Sequence, residues 1–219
     1  KILNASRFVL LSAGQPVDPA AVTHPLDLSL LVRLATVVSG TTQALDDYNY
    51  TRALELTETF FWSFCDDYLE LVKARAADDS DPAGQASAQA ALRVALRVLL
   101  RLFAPFLPFV TEEVWSWWQP GSVHRTDWPT VAELPSAGDP DLLPDVSSVL
   151  SKIRKAKSEA KVGMRTEVTT ASVVGTRERV ARIECARGDL IAAGRIQELL
   201  VMDGPDLGVA DIVLGDPPG

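Results

Sequence analysis

Through the first 118 residues apolar side chains recur at intervals of three and four, the period of helices that bury one face, and strand-like alternation is absent. Lys1 to Ser12 reads as a short helix. Gly14, Pro16 and Pro19 open a loop that lasts to about His24-Pro25. Asp27 is then placed to cap a helix carrying Leu28, Leu31, Leu34, Val38 and Leu45. Asn49 caps a third helix, in which Leu54, Thr57, Phe61, Phe64, Tyr68 and Leu71 form a bundle seam. The acidic run from Asp78 to Gly84 is a turn. A fourth helix from about Gln85 buries Ala88, Leu92, Ala95, Leu99 and Leu102 until Pro105 and Pro108 break it, and Phe109 to Trp118 adds a last turn or two.

From Gln119 to Pro144 prolines and acidic residues are scattered among short apolar pieces, which predicts a wrap or linker with Ser122 to Trp128 extended. Ser147 to Lys161 has a helical pattern again, Thr166 to Val174 alternates as a strand, Arg177 to Ala193 is helical, and Glu198 to Met202 and Val209 to Leu214 are short strands. The fold class is therefore mainly α: a helical bundle over 1–118, a proline-rich wrap over 119–144, and a small α+β module over 145–219 that ends in an Asp-Pro-Pro-Gly tail.

At 219 residues, with 47% hydrophobic and 23% charged side chains, the chain is long enough for a sizeable core and has a globular composition. No uninterrupted apolar run approaches the ~20 residues of a membrane span. Cys65 and Cys185 are too far apart in sequence, and too isolated from histidine, to suggest a zinc knuckle or a disulfide framework, so a reducing cytoplasm fits. The net charge of −8 argues against binding nucleic acid through bulk positive charge.

The chemistry-bearing residues exclude more than they suggest. Asp46-Asp47, Asp66-Asp67 and Glu112-Glu113 are adjacent pairs, which diverge by about 100° on a helix and do not converge on a substrate. His24 and His124 have no nucleophile or acid cluster at a useful spacing, and no glycine-rich phosphate loop is present. Neither a catalytic group nor a metal site is therefore assigned. Arg93, Arg97 and Arg101 form a stripe that reads as a solvated face, with a phosphate contact as the alternative. Lys152, Arg154, Lys155, Lys157 and Lys161 crowd one helix, which suits a polyanion as well as it suits solubility. On the first helix Lys1, Asn4 and Phe8 share a face, with Arg7 beside them. An unstacked base needs such a set: a ring, an amide and a cation. The competing reading buries Phe8 in the bundle and leaves Lys1 as a surface charge.

Lys-Ile-Leu-Asn-Ala-Ser-Arg-Phe-Val-Leu at 1–10, Phe-Cys-Asp-Asp-Tyr-Leu-Glu at 64–70, Ala-Pro-Phe-Leu-Pro-Phe-Val-Thr-Glu-Glu-Val-Trp at 104–115 and Ser-Val-His-Arg-Thr-Asp-Trp-Pro at 122–129 resemble, in order and spacing, the C-terminal part of the valyl-tRNA synthetase family. The resemblance covers about 1–129 closely and the rest loosely. It implies that the bundle is the anticodon-binding domain of a class I synthetase, with Lys1, Asn4, Arg7, Phe8 and Leu69 at the anticodon; the crowded charge of the later helix separately predicts that Lys152, Lys155 and Lys157 contact the tRNA backbone. It further implies a parent ligase that attaches valine to tRNA(Val) using ATP and Mg2+, with the catalytic and editing domains elsewhere, so that this region is inactive alone. Neither DNA nor a membrane is an expected partner. Asp67 stands where many members of the family carry a second aromatic, and the chain stops at Gly219 where members often continue into a basic coiled-coil arm. The isoleucyl and leucyl synthetase bundles, and a helical protein-interaction module without an RNA role, are the alternatives.

Overall fold

The structure, a computed structural model, describes residues 1–12 and 19–215. The predicted loop opening at Gly14 and Pro16 and the Asp-Pro-Pro-Gly tail lie outside the described residues. The chain forms two units, Lys1–Asp67 with Arg75–Asp139, and Tyr68–Ala74 with Pro140–Gly219.

The first unit is built on α1 (Ile2–Ser12), α2 (Pro25–Asp46), α3 (Tyr50–Ser63) and two later helices. α2 starts earlier than the Asp27 cap predicts. Pro25, with its fixed φ and missing N–H, suits the first helical position, so His24 becomes the cap and its Nδ1 accepts from the Leu26 N–H at 3.3 Å. Asp27 then falls one turn inside and points into the bundle. It is fully buried, accepts two hydrogen bonds from the Arg75 guanidinium at 2.9 and 2.7 Å, and accepts a third from Ser87 Oγ at 2.6 Å. Ser87 Oγ in turn accepts from the N–H groups of Thr23 and His24 at 3.0 and 2.9 Å.

α2 passes through Ser39-Gly40 without a break because Leu56 packs where a side chain would project; a Cβ at Gly40 would stand 3.2 Å from Leu56 Cδ1. Its 22 residues have the length and apolarity of a membrane span, a qualification of the sequence expectation. Here Leu26, Leu30, Leu31, Leu34 and Val38 are buried in the bundle, which makes α2 a core helix.

Asn49 caps α3 as expected, its Oδ1 accepting from the Arg52 N–H at 3.1 Å. Apolar residues then come in pairs four apart, Phe60-Phe61, Phe64-Cys65 and Tyr68-Leu69, all buried. A repeat of four drifts by about 40° per turn on a 3.6-residue helix. The wider π-helical turn over Phe64–Tyr68 takes up that drift before α4 (Leu69–Val72).

α5 (Pro82–Phe103) starts ahead of Gln85, with Asp81 Oδ1 accepting from the Gly84 N–H at 3.0 Å. The five positions expected to face the core, Ala88, Leu92, Ala95, Leu99 and Leu102, are all at most 1% exposed. The predicted arginine stripe is not a uniform solvated face. Arg101 is 5% exposed, forms two hydrogen bonds to the Glu133 carboxylate at 3.0 and 2.6 Å, and also donates to the Asp127 carbonyl.

That contact shows what the wrap does after α6 (Pro108–Ser116). Residues through Asp139 fold back onto the bundle. Trp128 Nε1 donates to Thr42 Oγ1 at 2.9 Å, and Glu133 reaches Arg101. The segment expected to be extended contains a 3-10 turn at Val123–Arg125, held by Ser122 Oγ and by Glu112 Oε2, which accepts from both Ser122 Oγ and the Val123 N–H. A second turn covers Val131–Glu133.

In the second unit α7 (Leu142–Glu159) leads to β1 (Val168–Gly175), α8 (Arg177–Cys185), α9 (Arg187–Gly194), β2 (Ile196–Asp203) and β3 (Gly208–Leu214). The single helix expected over Arg177–Ala193 is divided at Ala186, whose φ −121° and ψ 22° leave the helical range. The sheet order is β2-β1-β3. β1 runs parallel to β2, so the α8–α9 pair is the crossover that a parallel pair requires, and β3 closes antiparallel. Val149, Ile153, Val168, Val173, Ile183 and Leu190 fill the interior.

Candidate nucleic-acid interface

α1 turns Ala5, Ser6 and Val9 into the bundle and leaves Lys1, Asn4 and Arg7 exposed. Phe8 lies at the edge of that face, half-buried, between the two predicted readings. The charges on the face are held by aromatic rings. Lys1 Nζ is 2.7 Å from Asp66 Oδ1 and 5.2 Å from the ring centroid of Trp62, while the Arg7 guanidinium is 5.7 Å from that of Trp117. Trp62 is 44% exposed and Trp117 is 36% exposed, so both rings keep a free face or edge. Cation–π contacts at such exposure contribute about 0.5–1 kcal/mol each and orient the long side chains.

Trp62 is backed by a stiff support. Phe61 packs against it with centroids 6.2 Å apart, and Phe61 meets Phe103 edge-on at 5.4 Å and 86°. Trp117 is fixed by its indole N–H, which donates to Glu113 Oε1 at 2.9 Å. The π-helical turn supplies Asp66, four residues beyond Trp62. These residues, Trp62, Asp66 and Trp117, were missed by the sequence reading. A signal was available: Trp62 follows Phe61 and falls off the seam, so a large ring stands where the period calls for a polar residue.

Cys65 sits in the same turn but is not a nucleophile at neutral pH. Burial pushes its thiol from 9.0 up to about 11, against the opposing pull of Lys1.

The other predicted positions are distributed differently. Leu69 is 7% exposed, an interior side chain of the second unit with little surface to offer a base. Lys157, expected on phosphate, is 2% exposed, and its ammonium donates to the carbonyls of Gly194 at 2.8 Å and Met164 at 3.3 Å. It caps the C-terminal end of α9, where a cation satisfies orphaned carbonyls. Burial lowers its pKa below 10.5, and the charges of Arg195 and Arg154 add to the shift. Lys152 is half-buried and donates to the Leu207 carbonyl at 2.6 Å. Of the three, Lys155 remains outward, its side chain 74% exposed beside Glu159 at 3.8 Å. His24 is engaged as a helix cap, and His124 Nε2 lies 3.1 Å from the Pro108 carbonyl.

The arrangement offers stacking rings, two ring-anchored cations, an amide and a carboxylate on one surface of the first unit. Those are the groups that recognise a single-stranded base by its face, its edge and its phosphate.

Comparison with known proteins bears on this surface. The family model described as the anticodon-binding domain of tRNA ligase matches residues 27–173. A valine–tRNA ligase of Thermobifida fusca is 59% identical over 205 residues, covering 91% of this chain and 23% of that protein. Those of Cutibacterium acnes and Leifsonia xyli are each 50% identical, over 220 and 221 residues, covering 100% of this chain and 25% and 26% of theirs. The chain thus spans about a quarter of the length of the curated relatives it matches.

Proposed function

Since the chain belongs to the family of anticodon-binding domains of tRNA ligases, we propose that it serves a valine–tRNA ligase and reads the anticodon of tRNA(Val) with the outer face of α1 and the rings beside it. The parent enzyme uses ATP and Mg2+ in its catalytic domain to activate valine and esterify it to tRNA(Val) in the cytoplasm; this region contributes recognition. The observation that carries the reading is the exposed Trp62 ring with Lys1 held above it and Asp66 paired to that lysine.

The chemistry selects among related anticodons. Valine anticodons carry adenine and then cytosine at their second and third positions, and both bases present an exocyclic amino donor. Isoleucine anticodons end in uracil, which presents a carbonyl acceptor there. At the exocyclic position the carboxylate of Asp66 accepts from the cytosine amino group and would face the O4 carbonyl of uracil, acceptor against acceptor, the uracil donor lying instead at N3. Trp62 stacks the base, Phe8 walls the edge of the site, and Lys1 and Arg7 hold the flanking phosphates. Lys155 adds a backbone contact.

The test is binding of tRNA(Val) transcripts with the third anticodon cytosine kept or replaced by uracil. Stacking is worth about 1–3 kcal/mol per base, so Trp62→Ala weakens the cognate transcript by roughly 5–150-fold and narrows the gap to the uracil transcript. Phe8→Ala is measured alongside, with melting temperature recorded for both variants. A folded Trp62→Ala protein that binds and discriminates as the parent does removes this surface from anticodon recognition.

A further inference from the structure

In the second unit the inward turn of Lys157 brings two arginines together. Its ammonium binds the carbonyls of Met164 and Gly194, which draws the turn after α7 against the end of α9. The residues next in the chain after those carbonyls are Arg165 and Arg195, both exposed. Arg195 Nη1 donates to the Arg165 carbonyl at 3.3 Å, and the Val168 N–H donates to the Arg195 carbonyl at 2.8 Å, so the two arginines are fixed side by side. Lys161, one turn beyond Lys157, is exposed as well, at the point where the chain leaves α7 with a φ of 56°.

These three cations are not neutralised. Lys161, Arg165 and Arg195 have no acidic partner among the described residues, and the two guanidinium groups make no hydrogen bond there except the one to the Arg165 carbonyl. The carboxylates that flank the turn in sequence are engaged elsewhere: Glu159 lies 3.8 Å from Lys155, and Glu167 accepts from Gln197 at 2.6 Å. Acidic residues outnumber basic ones by 29 to 21, so a group of cations left without a counter-charge runs against the composition of the chain. Like charges held together repel, and an anion lying between them relieves that repulsion. Arginine forks suit phosphate oxygens and form charge-assisted hydrogen bonds with them.

We propose that Lys161, Arg165 and Arg195 form a cradle for the phosphate backbone of RNA, each guanidinium holding one phosphate. This rests on the tRNA reading and extends it from base recognition by the first unit to sequence-independent contacts made by the second.

The test is binding of tRNA transcripts to the full chain, followed by fluorescence anisotropy from 50 to 200 mM salt. The transcripts are tRNA(Val), its uracil-substituted form and a tRNA of unrelated anticodon. The variant is Arg165→Gln/Arg195→Asn, with asparagine chosen because Arg195 has a φ of 54°. Each lost phosphate contact lowers the slope of log K against log salt by about 0.7–0.9, so over this range the parent should lose about 7–12-fold more affinity than the variant. At 50 mM the variant should be weakened by one common factor on all three transcripts, with discrimination intact. Arg177→Gln is the control for net charge: Arg177 is exposed beyond the far end of β1, a strand of 8 residues that spans roughly 26 Å, and its loss should leave the slope unchanged. Lys161→Asn/Arg165→Gln, which keeps the Arg195 hydrogen bond, serves as the second variant if the first melts below the parent. The proposal is overturned by a folded variant with an unchanged slope, by unequal losses among the transcripts, by an equal effect per charge from Arg177→Gln, or by a parent that binds no tRNA. A parent that binds all three transcripts alike refutes the anticodon reading instead, and the slopes still decide the cradle.

Discussion

Replacing Asp27 by alanine separates two accounts of one residue. Were Asp27 a helix cap, as its place after His24-Pro25 suggests, its loss would cost about 0.5–2 kcal/mol. The structure instead buries it completely against a guanidinium whose side chain is 10% exposed, with Ser87 Oγ as a third partner. Removing one member of such a pair strands the other charge in the interior, at a cost of about 3–5 kcal/mol. All five tryptophans lie between residues 62 and 128, within the first unit, so urea unfolding followed by tryptophan fluorescence reports on that unit alone. With a urea slope of about 1–3 kcal/mol/M, the expected loss moves the midpoint by more than ~1 M. Asp27→Leu combined with Arg75→Met should cost far less than the sum of Asp27→Ala and Arg75→Met, because neither buried charge is then left alone. A loss under ~2 kcal/mol for Asp27→Ala, additive with Arg75→Met, would refute the ion-pair account and restore the cap.

Burial pushes the Glu133 carboxyl up, but the hydrogen bonds from Arg101 and the Thr130 N–H and the charges of Arg101 and Arg97 outweigh it and leave the pKa below 4.5. The first unit should therefore lose stability as pH falls from 4.5 through the folded value, and Glu133→Gln should lack that component in the same fluorescence assay. Lys157 has its folded pKa below 10.5, so the unfolded chain holds more protons in between, and stability should rise as pH climbs from the folded value to 10.5. Lys157→Met should flatten this rise, followed by far-UV circular dichroism; an unchanged slope would assign it to other groups. At pH 8 a thiol reagent should modify exposed Cys185 and reach Cys65 only on unfolding, and equal rates at both would contradict the burial of Cys65.

Where periodicity alone decides, the sequence was legible. The buried positions Thr57, Phe61 and Phe64 of the predicted seam and the core face of α5 follow from which side of a helix is apolar, whereas Leu54 at its start is only half-buried and Tyr68 and Leu71 at its end belong to the second unit. It was less legible where a distant segment decides. Arg101 looks solvated until the wrap returns over α5 with Glu133, and Lys157 looks solvated until the end of α9 presents its carbonyls. Nothing in the helical period marks either meeting. The Asp27 reading failed for a local reason, since Pro25 moved the start of α2 three residues earlier and carried the carboxylate inside. The candidate site was legible in part: the outward set Lys1, Asn4 and Arg7 emerges from the spacing of α1, whereas Asp66 joins it through a π-helical turn that a 3.6-residue period does not represent.

The net charge of −8 shapes how such a domain meets RNA. At physiological salt, charges farther apart than about 8 Å are largely screened, so acidic residues elsewhere on the surface repel a bound strand weakly. Short-range contacts then decide affinity, and a base stacked on a ring is little affected by the sign of a distant charge. The cations that flank the proposed anticodon face are held against indole rings, 5.2 Å for Lys1 and 5.7 Å for Arg7, which fixes where the positive charge is presented. Asp66 partly neutralises Lys1, which lowers its general attraction for phosphate while adding an acceptor that discriminates between base edges. On this reading the surface gives up non-specific electrostatic binding and gains selectivity, the balance required of a domain that must reject most of the tRNAs it encounters.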